Sequence, residues 1–452
     1  MRGRHVLTAA VLVVPALVAT AAPAHAADDR YVATTGSDAN SGTSSGAAWR
    51  TLQKAVDTAP AGATIHVASG TYAGFSVAAG RTGLSIVGAS RSDVVISPSA
   101  PARDVVAIRG AGTTLRSVTV SGCRPAPTPS SPETAGTASV RVAAADVTVD
   151  QVTIRDATAG GAYPTGCYGV LAVDADRTTV SGSEITRTGT GVMISGGGAG
   201  TQVRGNTIHH NDALIRNNPA ADTTGEGDFG ATGIGFYLVA ATPGPVADAK
   251  TVSDNRAPSY DYGWDGSGIE IFGASRLTLT GNKLANNDTA LESGTSGPTG
   301  PACLDNVFRG NLVTGNPDRS AGHQVSKGLI LRCGKEMQVT ENTLRLTDWF
   351  ALSLVEEDPL FGGTDAQVEG TDIFGNDITQ CWDRFLYSGR NPSHISAYWI
   401  DGNDYHGIAR GPGAPEFARI GTTAYATVPA WRAATPPFDV ASTWSDVPAG
   451  TC

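Results

Sequence analysis

Charge is scarce in this chain: only 16% of its 452 residues are Asp, Glu, Lys or Arg. Lysine is rarest, confined to Lys54, Lys250, Lys283, Lys327 and Lys335. With 42 acids against 32 bases, the formal charge is −10. A chain so poor in cations, with no basic block, is unsuited to nucleic acid or an anionic membrane surface. Past residue 26, no apolar run approaches the roughly 18–20 residues that cross a bilayer. There is no His-Glu-x-x-His, no cysteine pair at zinc spacing and no phosphate-cradling glycine loop. His209–His210 reads as turn surface. No cofactor is expected; calcium stays possible, for example at the acidic "VEEDPL" of Val355–Leu360.

The first 26 residues, "MRGRHVLTAAVLVVPALVATAAPAHA", have a basic start, an apolar centre and an A-x-A end at Ala24–Ala26. This reads as a secretory signal. Its removal strips Arg2 and Arg4 and no acid, leaving −12. The expectation is a secreted, extracellular protein. Six cysteines in such a chain suggest three disulfides, with many possible pairings. Local pairing gives Cys123–Cys167, Cys303–Cys333 and Cys381–Cys452.

Glycine is plentiful, with 56 residues, and so are Val, Thr, Ser and Asn, which suits short strands between tight turns. The strands repeat. One phrase, apolar–x–x–Asn–x–x, occurs as "VRGNTI" (Val203–Ile208), "LTGNKL" (Leu279–Leu284), "FRGNLV" (Phe308–Val313), "VTENTL" (Val339–Leu344), "IFGNDI" (Ile373–Ile378) and "IDGNDY" (Ile400–Tyr405). "VSDNRA" at Val252 is a looser copy. The slot therefore holds Asn206, Asn255, Asn282, Asn311, Asn342, Asn376 and Asn403, which suggests a ladder of stacked side-chain amides.

A second phrase alternates with the first: "TGVMIS" (190–195), "TGIGFYL" (232–238), "SGIEIF" (267–272), "TALESG" (289–294), "KGLILR" (327–332) and "FALSLV" (350–355). Period-2 alternation puts Ile269, Ile271, Leu291, Leu329 and Leu352 on a core face. Met193, Tyr237, Glu270, Phe272, Glu292, Arg332 and Tyr387 take the other. A unit this short cannot bury its apolar face alone, so coils must stack into a solenoid. The expected fold is all-β: a single parallel β-helix of about ten coils with a short N-terminal capping helix. The divisions are a signal at 1–26, a loop and capping helix at 27–62, the β-helix at 63–404 and a closing segment at 405–452.

The N-terminal segment "YVATTGSDANSGTSSGAAWRTLQKAVDTAPAGATIHVASGTYAG" (Tyr31–Gly74) places Trp49, Leu52, Ala55 and Val56 at helical spacing before a first strand. It resembles the cap of secreted bacterial right-handed parallel β-helix proteins, the pectate-lyase-like superfamily, many of which degrade polysaccharides. "TTAYATVPAWRAATPPFDVAST" (Thr422–Thr443) resembles their closing segment. The resemblance implies the fold. For chemistry it is permissive, since that fold serves hydrolases, lyases, epimerases and adhesins.

Glu270 and Glu292 fall at one place in consecutive copies, so their carboxylates stack at about the 4.8 Å strand spacing. Two like charges so close need a proton, a cation or an arginine. Arg332 stands two positions further along the next coil, above Gly294. Asp265 precedes the Glu270 strand with Trp264 beside it. The expected site is Glu270, Glu292, Asp265 and Arg332 for chemistry, with Trp264, Phe272, Tyr237 and Met193 holding a sugar substrate. A long insert between 195 and 232 falls on the same face.

Three functions fit. A glycoside hydrolase uses two carboxylates about 5 Å apart. A calcium-dependent lyase of uronate chains is implied by partial resemblance, since "GIEIF" and "GLILRCG" look like the glutamate and arginine strands of such enzymes. Those enzymes place a lysine soon after the glutamate strand, where this chain has only Arg276. A non-catalytic carbohydrate-binding or surface protein needs the aromatics and not the acids. The expected partner is a polysaccharide or oligosaccharide, bound by a monomer.

Overall fold

In a computed structural model, the structure describes residues 28–99, 104–124, 137–157, 167–212, 232–237, 244–248, 250–256, 258–259, 263–264, 266–295, 300–315, 327–345, 350–354, 368–380, 384–388, 397–407, 416–433 and 438–447. The expected secretory signal at 1–26, "VEEDPL" and the cysteines Cys381 and Cys452, with their expected pairing, lie outside the described residues.

Short strands of three to six residues recur in threes along the chain and assemble into three sheets of thirteen strands each. We call them sheets I, II and III. One coil, for example, runs through Thr278–Thr280 in sheet I, Lys283–Ala285 in sheet II and Thr289–Gly294 in sheet III. Each of these three strands pairs in parallel with its counterpart one coil away. Crossovers joining parallel strands of one sheet are right-handed. The chain is the right-handed parallel β-helix expected.

Alternation decides what lies inside. In sheet I, Val180, Val203, Ala247, Leu279, Phe308, Val339 and Ile373 stack in register and are fully buried. Sheets II and III add parallel columns, such as Ile208–Val252–Leu284–Val313 and Ile234–Ile269–Leu291–Leu329. Each buried aliphatic side chain contributes about 1.5–3 kcal/mol.

The corner between sheets I and II carries the asparagines. A residue with positive φ precedes each: Gly281 at 64°, Gly310 at 63°, Glu341 at 56°. Glycine adopts that conformation without strain, and Glu341 shows the turn enforces it regardless. Asn282, Asn311, Asn342, Asn376 and Asn403 form a continuous ladder. The Nδ2 and backbone N–H of each donate to Oδ1 of the next, at 2.8–3.0 Å.

Two expectations need correction. Asn255 is not in this ladder. It follows the sheet II strand Thr251–Ser253 and belongs to a second ladder at the corner between sheets II and III, Asn211–Asn255–Asn287. The slot next to Asn282 in the preceding coil is filled by Lys250, as the pairing Val252↔Leu284 requires. The coil count is about thirteen rather than ten. Strand Asp29–Val32 lies before the expected start of the β-helix at 63, and the coils of Thr64–Val67 and Ser85–Gly88 carry no asparagine in the slot, so the repeat is less visible there.

Both ends are closed. The helix Leu52–Thr58 starts at Thr51, whose hydroxyl accepts from Lys54 N–H, and buries Leu52, Ala55 and Val56. Strand Asp29–Val32 covers the first edge of sheet I. At the other end, the helix Val428–Arg432 buries Trp431. Asp439, fully buried, accepts from Ser442 Oγ at 2.6 Å, Tyr405 Oη at 3.0 Å and Trp431 Nε1 at 2.6 Å. Asn403 N–H donates to Ser442 Oγ at 2.8 Å, so this cluster terminates the ladder. Burial pushes the Asp439 carboxyl up, against the lowering effect of its donors. Burial likewise pushes the Tyr405 phenol well up, with the Asp439 charge adding to it.

Candidate functional site

The outer face of sheet III positions the acids. Cross-strand register runs Leu171, Met193, Gly235, Glu270, Glu292, Ile330 along one row. Two residues further, Ser195, Tyr237, Phe272 and Gly294 form a second row. Glu270 and Glu292 are therefore direct neighbours on adjacent coils, about 4.8 Å apart at the backbone. Both are half-buried.

Arg332 follows the strand Lys327–Leu331, and its Nη1 donates to Glu292 Oε1. Only 18% of the arginine side chain and 17% of the glutamate side chain are exposed, so water screens this pair poorly. The backbone holds the arginine in place. Its N–H donates to Ser293 O at 3.1 Å, and the next residue, Cys333, is disulfide-bonded to Cys303. The Cys123–Cys167 disulfide is also present, as expected.

Glu270 has a different neighbour. Thr232 Oγ1 donates to Glu270 Oε2 at 2.6 Å. Thr232 lies in register with Thr190 and Ser267, and Ser267 with Thr289. Sequence reasoning missed this hydroxyl row. Its signal was present in the first letters of the second phrase, "TG", "TG", "SG" and "TA". The glycines there have a reason of their own: a Cβ on Gly233 would lie 2.7 Å from Gly268 O, and one on Gly328 2.0 Å from Ala351 O.

A buried ion pair was missed as well. Asp288, with no exposed side chain, accepts from Arg256 Nε at 2.8 Å and from Gly266 N–H at 2.9 Å. Its own carbonyl accepts from Lys327 N–H at 2.7 Å. Asp288 thus ties together the starts of the two strands that carry Glu270 and Glu292 and of the strand that leads into Arg332. It also holds Arg256 and Gly266, which stand on either side of the antiparallel pair Pro258–Ser259 and Gly263–Trp264.

Asp265 lies outside the described residues, and so do 213–231 of the long insert. Trp264 and Tyr237 are described through their backbone only. Met193 and Phe272 are on the outer face, as the alternation requires, and half-buried. The Met193 thioether lies over Gly235, 3.1 Å from where a Cβ would stand.

Among the described residues, no group of three or more His, Cys, Asp and Glu is placed to hold a metal. The cation beside the stacked carboxylates is Arg332. Two carboxylates side by side, one against a guanidinium and one accepting a hydroxyl hydrogen bond, can share proton transfer and nucleophilic attack between them.

The chain's likenesses can now be placed beside this geometry. A family model described as the right handed beta helix region matches residues 138–344. A second, described as a protein of unknown function (DUF1565), matches residues 34–82. No curated protein matches the sequence. Among solved structures, the catalytic unit of a thermostable GH87 α-1,3-glucanase from Streptomyces thermodiastaticus strain HF3-3 is 12% identical, with TM-score 0.48. The match covers 88% of this chain and 64% of that one. A family 28 exopolygalacturonase of Yersinia enterocolitica is 10% identical, with TM-score 0.47, covering 88% and 79%. The A-module of an Azotobacter vinelandii mannuronan C-5 epimerase is 13% identical, with TM-score 0.43, covering 82% and 94%. At these identities the likenesses say nothing of chemistry.

Proposed function

We propose that this right-handed parallel β-helix repeat protein is an exported, monomeric, polysaccharide-active enzyme, a glycoside hydrolase working through Glu270 and Glu292. The observation that carries the reading is their register: two carboxylates on adjacent parallel strands, with Arg332 on the far side of Glu292. Side chains stacked on strands about 4.8 Å apart are close enough for the roughly 5–5.5 Å carboxyl separation that retaining glycosidases use.

In this reading Glu270 is the acid/base. It delivers a proton to the glycosidic oxygen as that bond breaks, then removes one from the incoming water. Glu292 is the nucleophile, forming and later losing the bond to the anomeric carbon. Arg332 orients Glu292 and offsets its charge. Thr232 fixes the rotamer of Glu270. Asp265 and Trp264 directly precede Gly266, whose N–H is held by Asp288, which supports a role for them near the substrate. Phe272, Tyr237 and Met193 flank the acids along sheet III and supply ring and thioether contacts. The two disulfides favour an oxidising, extracellular location.

The test is a panel of polysaccharides incubated with the native protein and with Glu270→Gln. Products heavier by one water per cleavage, formed by the native protein alone, are expected. Ultraviolet-absorbing unsaturated products abolished by a chelator would replace this reading with a calcium-dependent lyase. Retention of polymer with no cleavage would replace it with a binding protein.

A further inference from the structure

We infer a second carbohydrate-binding surface, separate from the acid pair, built on the outer face of sheet I at the C-terminal end of the solenoid. Four large apolar side chains are exposed among the described residues: Leu312, Phe374, Trp399 and Val440. Three of them gather here. Trp399 is 65% exposed and Phe374 51%.

Their setting alternates rings with acids. Asp372 pairs in register with Trp399, and Phe374 with Asp401, on the adjacent strands Thr371–Phe374 and Tyr398–Asp401. Alternation sends all four outward, since Ile373 and Ile400 between them are core. The rings are thus one strand apart and two residues along, about 8 Å between Cα atoms. Phe374 leans over the next coil: a Cβ on Gly402 would lie 2.3 Å from its Cε2. Segment 439–441 closes the patch. Asp439 N–H donates to Ile400 O at 2.8 Å and Ala441 N–H to Asp401 Oδ1 at 2.7 Å, which brings exposed Val440 alongside.

Large exposed rings on a monomer's surface mark a contact site. The charges around them choose the occupant. Asp372 and Asp401 repel a polyanion, which disfavours uronate chains and nucleic acid. A second copy docked face to face would bring four carboxylates together. A neutral polysaccharide meets neither obstacle: its C–H faces lie on Trp399 and Phe374, and its hydroxyls donate to the two carboxylates. The ligand class follows the proposed function; the surface itself does not require Glu270 or Glu292. Its role is to hold a polymer on the rod while sheet III works on one chain of it.

Affinity electrophoresis through gels containing soluble α- and β-linked glucans and xylan tests this. The native protein and Glu270→Gln/Glu292→Gln should be retarded equally by at least one polymer. Phe374→Ala/Trp399→Ala should lose at least tenfold in affinity while still cleaving short soluble oligosaccharides. Equal retardation of the aromatic double variant would overturn the inference, as would a native protein that no polymer retards. So would a native dimer in sedimentation that the aromatic variant lacks, which would give the patch to a second copy. Polymer binding that depends on Trp399 in a protein with no turnover would leave the surface standing and remove the hydrolase.

Discussion

Glu292 stands between two neighbours of opposite sign. Glu270 lies beside it in register on the preceding coil, and Arg332 reaches it from the following one. The three come from sequence positions 62 residues apart at most, yet the solenoid makes them consecutive. Glu270→Gln and Glu292→Gln should each lower turnover by about 10²-fold or more, the low end of what proton transfer by a positioned side chain contributes. Near-native turnover in either would remove that residue from the chemistry. Thermal melts of both variants show whether folding has changed.

Arg332 and Glu292 should be energetically coupled. A double-mutant cycle with Arg332→Ala and Glu292→Ala, read by denaturant unfolding, should give an interaction of about 0.5–3 kcal/mol. Additive losses would mean the contact is incidental.

The disulfide beside Arg332 gives a sharper comparison. Cys303→Ser/Cys333→Ser opens a link across 30 residues, and Cys123→Ser/Cys167→Ser one across 44. Each should cost about 2–4 kcal/mol of stability. Only the first releases the chain that positions Arg332, so only it should lower activity at temperatures where both variants remain folded.

Lys250→Asn should stabilise the fold. Lys250 sits where the ladder needs an amide, and Asn282 Oδ1 is buried without a hydrogen-bond partner. An asparagine there could donate to it, a gain of about 0.5–1.5 kcal/mol. Asn311→Ala and Asn342→Ala should do the reverse, losing about 1–3 kcal/mol each without affecting turnover. Melting temperatures of the three variants decide.

Asp439 sets a pH dependence. Its carboxyl is raised in the folded state, so the folded protein holds its proton more tightly than the unfolded chain does. The associated stability is therefore complete below the usual carboxylate range near 3.8 and is lost as pH rises through the raised value. Exposed acids with lowered values, such as Asp146 against Arg177, act in the opposite direction. The difference between native and Asp439→Ala melting curves, taken from pH 3 to 7, isolates the buried group. That difference should be largest at the acid end and shrink as pH rises; a pH-independent difference would contradict the assignment.

The sequence was most informative where a feature repeats with the coil. Alternating Val, Ile and Leu made the three sheets legible, and the equivalent positions of Glu270 and Glu292, with Arg332 two residues further along the next coil, made the cluster legible. Asn255 was misplaced because "VSDN" and "VRGN" look alike as letters, and only the register of Val252 with Leu284 shows that they turn different corners. Thr232 and Asp288 were invisible for another reason. Their partners lie 38 and 22–32 residues away, and the repeated phrases show which positions recur but not which of them touch. Such contacts depend on which coil a corner residue faces, and single-letter periodicity does not carry that.

The closed ends have a consequence for assembly. A stack of parallel strands has no intrinsic length: its last coil offers the same hydrogen-bonding edge that its first would accept. Strand Asp29–Val32, helix Leu52–Thr58 and the Trp431–Asp439 cluster stand where another molecule's coil would otherwise dock. Without them the rod is a monomer of a head-to-tail filament, held in register by the same amide ladders that run inside it. The caps confine to one chain what is, by its internal geometry, a segment of fibre.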